Sequence, residues 1–190
     1  MTLLVTAPLA HGEIQYHVTD LSEFVGANRT ARAINEAGQV VGGPAGGSAF
    51  LPAPGYLWDP ENGVTLLQNA SPLHYVGANG LNDSGHVVGV VVGAVLGVVQ
   101  HAFVWQEDSG IVDIGTLNAT TNNLAQAYDI NDAGLVVGSA RDLFGTASQA
   151  FVWESGQGDL LPLAEFAAAF SSITLGRLPA KGSIPRQTTI

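Results

Sequence analysis

The chain has 190 residues, a formal net charge of −10 and no cysteine. That length can bury one sizeable core, and the missing cysteine excludes disulfides and thiolate chemistry. All 16 acids lie between Glu13 and Glu165, with only Arg29, Arg32 and Arg141 as basic residues in that span, which excludes a surface that grips a nucleic-acid backbone. Charged residues make up only 12% and glycines number 24, a balance that favours strands and turns over solvated helices.

Residues 1–12 contain Leu3-Leu4-Val5 and then Ala7-Pro8-Leu9-Ala10. They read as the end of an apolar core and a small-residue cleavage site, without the positive segment that should precede them. The expectation is a remnant of a secretory signal and an extracellular or cell-envelope location. From Glu13 to Leu21 the alternation predicts a strand. Its Val18-Thr19-Asp20-Leu21 resembles Ile111-Val112-Asp113-Ile114, so it is expected to be an extra N-terminal strand.

The main domain, 13–166, divides into three repeats at about 25–70, 71–119 and 120–166. Four strands are predicted in each. They lie near 31–35, 39–43, 55–59 and 64–68; near 76–82, 86–93, 98–106 and 111–115; and near 125–131, 135–140, 148–154 and 159–163. Asn35-Glu36-Ala37-Gly38, Asn82-Asp83-Ser84-Gly85 and Asn131-Asp132-Ala133-Gly134 separate the first two strands of each, and each is followed by a Val-Val-Gly. Asn favours the first position of a turn, where its side chain accepts from the backbone two residues on, and Gly three residues later takes a positive φ without steric cost. The three segments are therefore expected to be hairpin turns. Trp58, Trp105 and Trp153 keep the same period on the third strands and are expected to pack the repeats together. Between second and third strands, Pro44–Pro54 predicts a loop. Val90–Val99 is apolar but too short and too broken by Gly to span a membrane, and predicts a hairpin turning near 94–97. Residues 163–170 suggest a short helix, and 167–190, with Arg177, Lys181 and Arg186 and no acid, are expected to form a flexible tail.

Four short strands every ~40–50 residues suggest propeller blades. The motifs resemble the bacterial extracellular HAF repeat family, through His101-Ala102-Phe103-Val104-Trp105, Asp113-Ile114-Gly115-Thr116-Leu117 and Ile34-Asn35-Glu36-Ala37-Gly38-Gln39-Val40-Val41-Gly42. The resemblance covers about 16–163. It implies secretion and a blade-like repeat and brings no activity. Gly42-Gly43 with Tyr56 and Trp58 also resembles a kelch blade, a feature the other two repeats lack. The expected fold is all-β: a partial, propeller-like array of three four-stranded antiparallel blades plus the N-terminal strand.

No arrangement of catalytic residues stands out. There is no Gly-x-Ser-x-Gly, and His11, His17, His74, His86 and His101 form no zinc-binding pair, so no catalytic residue, metal or cofactor is assigned. His101 reads as a structural strand residue, and Glu107-Asp108 as a solvated turn. Asp129-x-Asn131-x-x-Gly134 begins like a calcium loop, but Ala133 stands where an oxygen ligand is needed. The expected function is a non-enzymatic secreted module, structural or binding an extracellular glycan or protein. Its open ends are expected to take further blades or to self-associate. The alternative is a propeller glycoside hydrolase or lyase acting through Asp83, Asp129 and Asp132.

Overall fold

The computed structural model describes residues 18–45, 53–68, 75–93, 99–117, 123–142, 148–155 and 160–163. The signal-like segment, the residues of the N-terminal strand before Val18, most of the Pro44–Pro54 loop, the 94–97 turn and the tail lie outside them.

Among the described residues one helix, α1 (Ser22–Val25), precedes twelve strands. These are β1 (Arg29–Ile34), β2 (Val40–Pro44), β3 (Gly55–Asp59), β4 (Gly63–Leu67), β5 (Tyr75–Leu81), β6 (Val87–Gly93), β7 (Val99–Gln106), β8 (Gly110–Gly115), β9 (Asn123–Ile130), β10 (Leu135–Asp142), β11 (Ser148–Glu154) and β12 (Leu161–Pro162). Each predicted strand of the three repeats has its counterpart here within a few residues. β1–β4 form one antiparallel sheet in chain order. β5–β8 and β9–β12 pair in the same order, and a single parallel pair, Gln100 with Leu124, joins them into an eight-stranded sheet. Ala53 and Tyr75 make the matching parallel bridge between the first unit and the second. The chain is thus all-β, with three four-stranded units in two sheets, neither of them closed.

The extra N-terminal strand is corrected where it can be seen. Val18 to Asp20 carry no strand, and α1 follows directly. Asp20 Oδ1 accepts from the Ser22 N–H at 2.9 Å, and Phe24 and Val25 both donate to the Leu21 carbonyl at 3.0 Å. This local pairing turns the chain where alternation alone suggested extension. Val18, an apolar position of that alternation, is 94% exposed. Phe24 instead lies against Trp58, ring centroids 5.8 Å apart and tilted.

Each unit has an upstream face, towards earlier residues, and a downstream face. Successive valines of each Val-Val pair point to opposite faces, as a strand requires. Val41 and Leu57 on the downstream face of the first unit meet Leu81, Val87, Phe103 and Trp105 on the upstream face of the second. Val88 and Val104 repeat the arrangement against Ile130, Val136 and Phe151. The glycine closing each Val-Val-Gly lies under an aromatic of the third strand. At Gly89 a Cβ would overlap the Gly77 carbonyl oxygen and stand 2.9 Å from the Phe103 ring. Removing the side chain lets the aromatic lie on the strand, which is why Gly follows two β-branched residues in a buried strand.

Candidate functional site

The three Asn-x-x-Gly segments are superposed turns stacked into one edge. In each, the Gly N–H donates to the Asn carbonyl, at 3.0, 3.0 and 2.9 Å. Gly38, Gly85 and Gly134 have φ of 77°, 75° and 82°, the left-handed region that disfavours any residue with a Cβ. The Asn side chain reaches further than the two residues expected. Its Oδ1 accepts from the fourth residue on, Gln39, His86 or Leu135, at 2.9 Å each time. Only Asn82 also accepts from the second, Ser84, at 3.1 Å.

The other half of each amide joins the repeats. Asn35 Nδ2 donates to the Asn82 carbonyl, and Asn82 Nδ2 to the Asn131 carbonyl, both at 3.1 Å. Beside them, the Glu36 N–H donates to Asp83 Oδ1 and the Asp83 N–H to Asp132 Oδ1, both at 2.9 Å. A carboxylate could not take the place of the amide, because it has no N–H to donate. The amide, as acceptor and donor at once, closes its own turn and binds the next, and the acid supplies an acceptor for a backbone N–H. A second rung lies at a β-bulge shared by all three units. Arg32 donates to Asn79 Oδ1 at 2.7 Å, and Asn79 Nδ2 to the Ala127 carbonyl at 2.7 Å. The third bulge carries Tyr128, whose hydroxyl turns back to Ser139 Oγ at 2.7 Å.

The ladder is directional: each turn donates to the one after it. Among the described residues, Asn131 Nδ2 and the Asp132 N–H donate to nothing, and the Glu36 carboxylate accepts from nothing. Exposure follows. Asn82, between two turns, is 4% exposed, whereas Asn131 is open to solvent. Sequence reasoning assigned Asn35, Asn82 and Asn131 and their glycines to turns, named Asp83 and Asp132 only as acids of the alternative hydrolase or lyase, and gave Glu36 no role. The repetition of Glu36, Asp83 and Asp132 was the available signal.

The remaining candidates are placed apart from this edge or used within it. Trp105 is buried between the first two units, Trp153 packs between the second and third, and Trp58 lies under Phe24. Trp153 Nε1 is buried with no hydrogen-bond partner among the described residues. His101 Nδ1 is 2.6 Å from Asp113 Oδ2 on an exposed surface, and the same carboxylate accepts from the Gly115 N–H at 2.7 Å, so the pair clips β7 to β8. Glu107 and Asp108 are exposed in the turn between those strands. Asp129 Oδ1 accepts from the Ile130 N–H at 2.9 Å. Among the described residues no three of His, Asp and Glu converge to hold a metal ion, and no helix is long and apolar enough to cross a membrane.

Among the described residues three groups have displaced proton affinities, and the first, the Asp20 carboxyl, is held below its ordinary value by the hydrogen bonds from Ser22. The Asp59 carboxyl is held below its ordinary value first by the side-chain hydrogen bond from Gln39, 2.8 Å away, then by the backbone N–H groups of Asn62 and Glu61. Burial raises the Tyr56 hydroxyl, against the pull of nearby Arg29. All three make local hydrogen bonds, Tyr56 through its hydroxyl to the Thr30 carbonyl at 3.1 Å, and read as fastenings. No protein-family model, curated protein or solved structure matches the chain.

Proposed function

We propose that this chain is a non-enzymatic, secreted repeat module, its units stacked like the blades of an incomplete propeller, with a structural or ligand-binding role. One observation carries the reading: the use made of the acids at the stacked turns. Asp83 and Asp132 each give an oxygen to a backbone N–H of the preceding repeat at 2.9 Å. A carboxylate fixed as an acceptor between repeats is poorly placed to shuttle protons for a glycosidic bond, which needs two carboxyls flanking that bond. The location rests on the signal-like residues 1–12 and on the resemblance to HAF repeats over 16–163. A glycan or protein of the cell exterior is the ligand class this location favours.

The test is incubation of the purified chain with a panel of extracellular polysaccharides, with and without calcium. The expected result is that every polymer keeps its length, whether or not it is retained. Release of shortened products, abolished by Asp83→Asn or Asp132→Asn in a chain that still folds, would replace this reading with that of a hydrolase or lyase.

A further inference from the structure

The chain contains the dipeptide Asn-Gly twice, as Asn62-Gly63 and Asn79-Gly80. The pair has a chemistry of its own. The backbone nitrogen after an Asn can attack the side-chain amide carbon, and glycine, with no Cβ, leaves that nitrogen unshielded and the backbone free to turn. The fold treats the two pairs oppositely. Asn79-Gly80 lies within β5 at its bulge, where Gly80 pairs with Val88 of β6. Both ends of the Asn79 amide are tied: Arg32 donates to Oδ1, and Nδ2 donates to the Ala127 carbonyl, each at 2.7 Å. Gly80 is buried, and a Cβ there would stand 2.8 Å from the Tyr128 carbonyl oxygen and 2.9 Å from Asp129 Cα. The Asn79 side chain cannot swing back onto the Gly80 nitrogen unless β5 opens.

Asn62-Gly63 lies in the turn that carries β3 into β4. Asn62 is exposed, Gly63 has a φ of 81°, and a Cβ there would meet nothing within 4 Å. The Asn62 amide is loosely held. Its Nδ2 donates to Asp59 Oδ1 at 3.2 Å, the long end of the normal range, and among the described residues nothing donates to its Oδ1.

We propose that Asn62 is a site of spontaneous deamidation in the folded chain and that Asn79, with the same neighbour in sequence, is protected by the fold. The Gly63 nitrogen bonds to Asn62 Cγ, the Cγ–Nδ2 bond breaks, and Nδ2 leaves as ammonia with the proton that Gly63 gives up. Water, the sole co-reactant, then opens the cyclic imide at either carbonyl and leaves aspartate or isoaspartate at position 62. The product exchanges a donor to Asp59 for a further carboxylate, in a turn that already holds Asp59 and Glu61. The modification therefore loosens the fastening of the first unit as the protein ages. It does not depend on the reading of the chain as a secreted module.

The test is prolonged incubation of the full chain in mildly alkaline buffer, once folded and once in urea. Circular dichroism confirms the state of each sample, and mass spectrometry of peptides that separate Asn62 from Asn79 follows the amide at each position. In the folded chain Asn79 reacts only through local opening, so Asn62 should convert more than about tenfold faster. In urea the two should convert at comparable rates. Asn62→Gln, which would need a larger ring to react, should keep its amide over the same period and leave Asn79 as it was. An Asn62 amide that survives in the folded chain while it is lost in urea would overturn the proposal. So would an Asn79 that keeps pace with Asn62 in the folded chain, or a difference between them that persists unchanged in urea, since sequence and not fold would then set the rates.

Discussion

Val88 and Val137 hold the same place in successive repeats, follow the same Asn-x-x-Gly turn and pair with the same kind of strand. Val88 is 0% exposed and Val137 42%. Asn82 and Asn131 differ in the same way. The first is sealed between turns and uses both ends of its amide, and the second closes its own turn and leaves its donor in solvent. The comparison separates two kinds of stability in one array. What a unit needs for itself, the turn and the pairing of its four strands, is present in every repeat. What it gains from a neighbour exists only where there is one, as in repeat arrays whose stability is a sum of unit and interface contributions.

The largest expected effect tests the part that should be equal in both regions. Gly89→Ala and Gly138→Ala each push a methyl group into a backbone carbonyl and a phenylalanine ring of their own unit. Each should cost about 3 kcal/mol, read from urea midpoints. A large gap between them would mean that the neighbour, and not the unit, sets the packing at this glycine.

Asn82→Asp and Asn131→Asp should then part company. The first removes the donor to the Asn131 carbonyl and places a carboxylate in a site only 4% exposed, for a loss between about 2 and 3 kcal/mol. The second should change a dilute chain by less than about 0.5 kcal/mol. Equal losses would show that the inter-repeat hydrogen bond contributes nothing beyond the turn.

Val88→Ala should cost about 2 kcal/mol, through two buried methyl groups and the space they leave. Val137→Ala should again stay within about 0.5 kcal/mol at low concentration. If Val137→Ala proved as costly as Val88→Ala in a dilute sample, the downstream face would have to be covered within the chain itself.

The smallest effect concerns the first turn, where Gln39 stands in the place of His86 and Leu135. Its amide fastens the turn to Asp59 at 2.8 Å. Because the folded carboxyl titrates below its ordinary value of 3.8, the stability it adds is fully present above that value and is lost as pH falls through the lower, folded one. Gln39→Leu, which mimics the third repeat, should move the Asp59 midpoint upward in a carbon-detected NMR titration and leave that of Asp20, held by Ser22, where it was. An Asp59 midpoint that does not move would assign the shift to the Asn62 and Glu61 backbone instead.

Periodicity by itself determined the three units, the positions of their twelve strands and the turns between first and second strands. These depend on short-range rules: alternation, β-branching, and a glycine where φ must be positive. The alternation of Glu13–Leu21 was legible in the same way and misled at its end, because a strand needs a partner strand and Val18 has none among the described residues. Only the tertiary structure decided what the repeated residues do beyond their own repeat. That Asn82 faces Asn131, and Asp83 faces Asp132, depends on the stacking of segments 49 residues apart. No local pattern encodes such a distance, and the donor and acceptor ends of the ladder became visible only once it was built. The same holds for Val41, Val88 and Val137, identical in sequence and different in burial, because burial belongs to the pair of faces and not to the strand that carries the side chain.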